Sequence, residues 1–260
     1  MNIVVCIKQV PDTTQVKIDP ETNTLIREGV QSIINPFDMY AIEEGVRLKE
    51  RFGGKTTVIT MGPPQAENAL REAIALGCDD AILVSDRAFA GSDTLATGYT
   101  LANAIKRTGE FDIIICGKQA SDGDTAQVGP GIATQLDIPQ ITYVKKIEKI
   151  EDKTLVAERM TEEGFEIIQT SLPCLLTVVK EINEPRLPSL KGKMKAKKAE
   201  IISWKAIDID ADEGQLGLGG SPTWVSKIFT PPPRPKGEIF DGDPEEAATK
   251  IVHLLKDRLN

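Results

Sequence analysis

The chain has 260 residues, 40% hydrophobic and 27% charged, with a formal net charge of −8. That suits one α/β domain of ordinary globular type, with appendages. No run approaches the roughly 18–20 apolar residues of a membrane span, so no integral membrane segment is expected, and the acidic balance argues against nucleic acid as a partner. A single histidine, His253, leaves little material for a His-based triad or a multi-His centre, so no metal site is expected. Cys6, Cys78, Cys116 and Cys174 lie far apart with no Cys-x-x-Cys pair, which reads as small buried hydrophobes in a reducing compartment. Residues 1–8 have no basic region ahead of their apolar stretch and no small-residue cleavage site, so no signal peptide is expected.

Residues 3–7 are a continuous apolar run, the pattern of a strand buried on both faces. Residues 16–18 and 24–26 alternate and flank a polar turn, which predicts a surface hairpin. Asn35-Pro36 reads as a helix start, with Phe37, Ala41, Leu48 and Phe52 on one stripe and Gly53-Gly54 as the stop. The cycle then repeats. Residues 56–60 form a strand, Pro63-Pro64 opens a helix that Gly77 ends, and residues 81–84 form the next strand. A helix over 92–106 carries Leu95, Tyr99 and Ala102 on one face, and residues 112–116 make a fourth buried strand leading into a Gly- and Asp-rich loop and another helix. Such alternation predicts an α/β fold: a mostly parallel sheet with right-handed crossovers and helices on both faces.

After Pro139 the pattern changes. Residues 141–150, 154–160, 165–170 and 174–179 are strand-like and joined by short polar turns such as Glu162-Glu163-Gly164, which predicts an antiparallel addition. Residues 183–199 are basic and lose periodicity. The last sixty residues hold a glycine-rich stretch at 214–220, the run Pro231-Pro232-Pro233 and a closing helix over 244–259; a tail of that kind needs another surface to lie on. The expected organisation is an α/β domain over 1–225 and an extended arm over 226–260.

In an open α/β sheet, ligands bind beyond the carboxyl ends of the strands. Four loops occupy that edge: Lys8 to Asp12, Thr60 to Pro64, Ser85 to Arg87, and the long one from Gly117 to Pro130. The last runs from a strand through glycines into a helix, whose free N–H groups make an anion site. Asp124, three residues before Gln127, suits a reciprocal cap, although Pro130 either kinks the helix or delays its start. Gly-x-Gly-x-x-Gly after the first strand and Gly-x-x-x-x-Gly-Lys-Ser/Thr are both absent. Two aspartates in a phosphate loop are awkward unless turned away or bridged by a cation. On spacing alone the loop reads equally as a nucleotide loop or as an ordinary strand-to-helix connection.

Several blocks in order, Lys8-Gln9-Val10-Pro11-Asp12, Asn35-Pro36-Phe37-Asp38 with Ala41-Ile42-Glu43-Glu44, Thr60-Met61-Gly62-Pro63, Gly117-Lys118-Gln119-Ala120, Asp122 to Pro130, Asn183-Glu184-Pro185-Arg186 and Lys193 to Lys198, resemble the β subunit of electron transfer flavoproteins. The resemblance covers roughly residues 1–230. It implies a nucleotide-α-hydrolase-like, Rossmann-like sheet, a heterodimer with an α subunit that the 226–260 arm contacts, and a bacterial cytoplasmic setting. The family divides at the nucleotide site: one branch holds AMP as a structural ligand, and the electron-bifurcating branch holds an FAD that accepts hydride from NADH. The loop Asp122-Gly123-Asp124-Thr125-Ala126-Gln127-Val128-Gly129 resembles the second branch. Its electrons go to ferredoxin or flavodoxin and, through the α-subunit FAD, to or from an acyl-CoA dehydrogenase.

The resemblance further implies that the adenosine end contacts Cys6, Lys8, Val10, the turn Asn35-Pro36-Phe37-Asp38, and Met61, and that the phosphates lie along Gly117 and residues 122–129. Cys6 then offers its backbone; a reactive thiol is the alternative to a small buried hydrophobe. Asn35 reads as a helix cap, a ligand contact or both, and Met61 as core or cofactor wall. The segment 184–198 corresponds to a recognition loop in which Leu190 enters a pocket on the dehydrogenase, with Arg186, Lys191 and Lys193 around it. Six positive residues fall between 186 and 198 with no acid and no interleaved aromatic, so a solvated face is the plain alternative. No side chain is expected to act as acid or base, and no catalytic residue is assigned. His253 reads as a packing or surface residue, and Trp204 and Trp224 as interface or core anchors. The rival functions are an AMP-holding electron carrier and, from another class, a regulatory adenine-nucleotide-binding module; a nucleophilic hydrolase lacks its serine elbow.

Overall fold

The computed structural model describes residues 1–12, 17–18, 25–26, 31–226, 237, 239–240 and 242–259. Among them the chain order is β1 (Asn2–Cys6), β2 (Gln9–Pro11), β3 (Lys17–Ile18), β4 (Leu25–Ile26), β5 (Ser32–Ile34), α1 (Pro36–Phe52), β6 (Lys55–Met61), α2 (Glu67–Leu76), β7 (Asp80–Val84), α3 (Thr94–Arg107), β8 (Ile113–Gly117) and α4 (Val128–Leu136). There follow β9 (Gln140–Glu151), β10 (Thr154–Met160), β11 (Phe165–Ser171), β12 (Cys174–Val178), α5 (Leu190–Lys198), β13 (Ile202–Trp204) and α6 (Pro244–Leu259).

One nine-stranded sheet runs in the order β11-β10-β9-β12-β8-β1-β6-β7-β13. Apolar residues alternate between its two faces. Ile3 and Val5 of β1 with Ile113 and Ile115 of β8 pack under α1 and α2, while Val4, Cys6, Ile114 and Cys116 pack with residues of α3 and α4. Burial on both faces explains the unbroken apolar runs of these strands, each such side chain contributing about 1.5–3 kcal/mol. From β1 the chain steps through β6 to β7 on one side, then returns to place β8 on the other. The direction of winding therefore reverses at β1, and a crevice opens there beyond the carboxyl ends of β1 and β8.

The α/β class and the helix-on-both-faces arrangement are as the alternation predicted, with differences in detail. The four strands after Pro139 are not one antiparallel block: β12 lies between β8 and β9 and is parallel to both, and the antiparallel pairs are β9 with β10 and β10 with β11. Helix α4 supplies the crossover that makes β9 parallel. The segment opened by Pro63-Pro64 begins as a short 3₁₀ turn, Pro64–Ala66, before α2. Helix α3 begins at Thr94 with Asp93 as its cap; Ala102 and the partly buried Tyr99 face the core as expected, together with Ala96, Leu101 and Ile105, whereas Leu95 is exposed. Phe52 likewise lies in solvent at the end of α1. The hairpin of β3 and β4 forms as expected, while residues 19–23 of its turn lie outside the described residues, as do the run Pro231-Pro232-Pro233 and the rest of 227–236. Part of the glycine-rich tail folds back: Leu216 and Ile209 enter the core beside α3, and Ser221 and Thr223 bond to Asp93 or its amide. Trp204 is half-buried under Arg107, whereas Trp224 and His253 are exposed.

The basic segment expected as an aperiodic loop is a helix over its second half. Ser189 caps α5 by accepting from the Gly192 amide at 3.0 Å. Its buried face consists of Gly192 and Ala196, not large apolar residues, so no apolar stripe marks it. A Cβ on Gly192 would lie 2.1 Å from the Ala75 carbonyl oxygen of α2. Gly192→Ala should therefore lift α5 from α2 and cost about 1–3 kcal/mol, measured as a lowered unfolding temperature; an unchanged midpoint would contradict this packing.

Candidate functional site

The crevice is built by buried polar groups at the start of α1. Asn35 and Asp38 are almost fully buried. The Lys8 amide donates to Asp38 Oδ2 at 2.7 Å, and Asn35 Nδ2 donates to Asp38 Oδ1 at 2.9 Å. Asn35 also reaches the β8 loop, donating to the Gln119 carbonyl at 2.8 Å and accepting from the Ser121 amide at 3.0 Å. Its own amide donates to the Lys8 carbonyl. Asn35 does not cap α1 through its side chain, since both ends of the amide are committed across the crevice. Gly117 is required by this closure: a Cβ there would lie 2.3 Å from Asp38 Oδ1.

The long loop then turns back on itself. Asp124 and Ala126 have left-handed backbones, at φ 55° and 56°. Lys8 Nζ donates to both Asp122 oxygens, at 2.7 and 2.8 Å, and Gln119 Nε2 donates to Asp124. Asp124 is thus not the partner in a reciprocal cap; Gln127 stands at the N-cap of α4 with no side-chain bond, and the first turn of α4 presents amides that no side chain takes. Pro130 fits because it lies within that turn, where its missing N–H costs nothing. Gly129 packs tightly, a Cβ there meeting Thr177 at 2.7 Å, whereas one on Gly123 would meet nothing within 4 Å. Thr125 accepts from the Gln127 amide and from Thr94 of α3.

Lys8, Asn35, Asp38, Gly117, Asp122 and Asp124 are therefore joined by direct contacts, with Thr125, Ala126, Gln127 and Val128 continuing the same loop. Cys6 is buried at the end of β1 with no disulfide, Val10 is buried in β2, and Phe37 and Met61 are half-buried. Leu190, Lys191 and Lys193 do not join this cluster; they lie on α5 against α2. Sequence reasoning gave no role to Gln119, which neutralises the demand of Asp124, or to Lys118, whose ammonium sits 5.7 Å from the Phe37 ring and 5.1 Å from the Tyr143 ring. Their place directly after a buried strand was the available signal. A cavity of about 760 Å³ lies elsewhere, between the outer flank of α1 and β9–β10. Its lining mixes charges of both signs, among them Glu44, Arg47, Arg51, Lys145 and Glu158, and converges on no single ligand chemistry.

Burial pushes the Asp38 carboxyl up from an ordinary 3.8 to about 7, against the pull of Asn35, of the Lys8 and Gly117 amides and of the Lys8 charge. The folded chain keeps this proton where the unfolded chain has lost it. Its contribution to stability is thus full below pH 3.8 and is lost as pH rises through about 7. Denaturant titrations across that window should show the native protein losing stability relative to Asp38→Asn as pH rises; a pH-independent difference would count against a protonated Asp38.

An electron transfer flavoprotein domain matches residues 22–209. The chain is similar to the electron transfer flavoprotein subunit beta of Thermoanaerobacterium thermosaccharolyticum, 56% identical over 259 residues and 99% of each chain. It is similar also to that of Clostridium acetobutylicum, 52% over 257 residues, 99% of this chain and 98% of the other. A third relative is the caffeyl-CoA reductase–Etf complex subunit CarD of Acetobacterium woodii, 50% identical over 260 residues and 99% of each chain. The chain belongs to the electron transfer flavoprotein family, among its β subunits.

Proposed function

We propose that this β subunit, paired with its α subunit, holds FAD in the crevice at β1 and β8 and serves NADH-dependent electron bifurcation. One observation carries the reading: the uncapped start of α4 stands at the switch point of the sheet, and both nearby aspartates are already engaged by Lys8 and Gln119. An anion of the size of a pyrophosphate would meet amides instead of free carboxylates. Gly123 adds support, because nothing among the described residues crowds that position and a glycine there lets a ligand approach the backbone. Bound in this place, FAD would supply hydride acceptance from NADH and delivery of single electrons, one to ferredoxin or flavodoxin and one through the α-subunit FAD toward an acyl-CoA dehydrogenase. That one similar chain is named as part of a caffeyl-CoA reductase–Etf complex favours a CoA-ester dehydrogenase as the partner.

The chain's own part is binding and orientation. Main-chain amides of residues 128 and 129 would hold the phosphates, Lys8 would offset their charge, and Asn35 and Asp38 would keep the two loops at a fixed spacing. On α5, Leu190 is 78% exposed among lysines and serves as the apolar anchor for the dehydrogenase. The apolar residues of α6, including Ile251 and Leu254, are about half exposed and would pack on the α subunit, as would the rest of the 226–260 arm.

Purified heterodimer should contain two FAD by absorbance, with the spectrum bleached by NADH. One FAD with one AMP would instead make the chain a structural-nucleotide carrier, and a colourless protein holding adenine nucleotide would make it a regulatory module. Leu190→Ala should slow electron delivery to the dehydrogenase by roughly tenfold, as removal of an interface anchor does, with flavin content retained. Unchanged delivery would remove α5 from the docking surface.

A further inference from the structure

Arg186 opens the segment that leads to α5. Its guanidinium faces inward. Nε donates to Glu43 Oε2 at 2.8 Å and one terminal nitrogen donates to Glu43 Oε1 at 3.1 Å and to Glu50 Oε2 at 3.0 Å, while the other donates to Glu50 Oε1 at 2.6 Å. Four of the five guanidinium donors are thereby used, and the Arg186 amide also donates to Glu43 at 3.1 Å. Glu43 is buried, so removing Arg186 would leave a carboxylate without its counter-charge. Three residues earlier, Asn183 donates to the Tyr40 carbonyl and to Glu44, so two successive grips bind this stretch to α1. Beyond them Leu187 and Leu190 are 89% and 78% exposed. At the far end, Arg71 donates to the carbonyls of Ala196 and Ala199, and Lys195 to that of Cys78.

We infer that Arg186 is a positioning residue for the docking segment and not one of its contacts: held by Glu43 and Glu50, it fixes the direction from which Leu187 and Leu190 project. The inference rests on the reading of Leu190 as the docking anchor. Two prolines, Pro185 and Pro188, flank Arg186 and limit the backbone freedom of the stretch, so the ionic clamp adds direction to a segment that Asn183 already ties to α1. The partner meets a preformed apolar projection, which reduces the ordering cost of a short-lived contact. Lys195 is tied to the Cys78 carbonyl and to Asp79, whereas the exposed Lys191, Lys193, Lys197 and Lys198 of α5 are left to steer an acidic partner surface.

The test uses the flavin-loaded heterodimer and an acyl-CoA dehydrogenase at varied concentration. Arg186→Gln should raise KM for the dehydrogenase on the order of tenfold, as expected for a charge-assisted pair, with kcat and flavin content retained, and amide hydrogens of residues 183–190 should exchange faster. Glu43→Gln with Glu50→Gln should give the same KM, and adding Arg186→Gln should make it no worse. Glu50→Gln alone, at an exposed position, gives a milder version should the buried change impair folding. A raised KM in Arg186→Gln with native KM in the carboxylate variants would mean that Arg186 touches the partner, and unchanged exchange in Arg186→Gln would mean that it holds nothing; either overturns the inference. Leu190→Ala should raise KM without altering exchange. If Leu190→Ala leaves KM native, the docking reading fails, and the exchange rates still decide whether Arg186 is the clamp.

Discussion

Helix α1 buries three carboxyl groups, those of Asp38, Glu43 and Glu44, and each must find a partner outside the helix or be neutral. Asp38 takes the Lys8 amide and Asn35, Glu43 takes Arg186, and Glu44 takes Asn183. These partners come from β1's loop and from a stretch some 140 residues later in the chain. The demand of buried charge for a counterpart therefore ties both ends of the domain to one 17-residue helix. Its first turn sets the crevice, its middle turns hold the segment before α5, and the packing of α1 on β1 and β8 makes the two a single body.

The same economy of charge governs the loop edge beyond β1 and β8 in this chain of net charge −8. No cluster of lysines is assembled there. The acids are engaged one by one instead: Asp122 by the Lys8 ammonium, one oxygen of Asp124 by the Gln119 amide, and Asp38 by burial, which favours its neutral form. With these accounted for, the dipole and free amides of α4 set the local field. The Lys8–Asp122 pair is half-exposed and worth little by itself.

Much of this was legible in the amino-acid order. Continuous apolar runs marked β1, β7 and β8, and Asn35-Pro36 with Gly53-Gly54 bounded α1 within a residue, because steric rules at helix ends act locally. The crevice residues came from motif resemblance, and the structure shows why they recur together: Asn35 bonds to the loops of β1 and β8 at once. What stayed hidden was non-local. Glu43 and Glu50, seven apart on one helix face, share the Arg186 guanidinium, which the chain's return after β12 brings against them. Helix α5 was missed because its inner face is Gly192 and Ala196, chosen for close approach and not for hydrophobicity. The placement of β12 between β8 and β9 depends on register across the sheet, which alternation along one strand does not encode.

The three glycines of the long loop separate what serves the fold from what is left for a ligand. Gly117 is forced by the Asp38 carboxyl and Gly129 by Thr177, both neighbours within the chain. Gly123 has no such neighbour. Between Gly123 and α4, the backbone adopts left-handed conformations at Asp124 and Ala126, where no glycine relieves them, a cost of order 1–3 kcal/mol at each. Gln119 and Thr125 supply bonds that hold this shape. Strain held in place by side-chain bonds, beside one glycine without a packing reason and a helix start without a cap, falls within residues 119–128. The strained middle of the loop is therefore the part that packing within the described residues does not require, and the flanking glycines belong to the architecture around it.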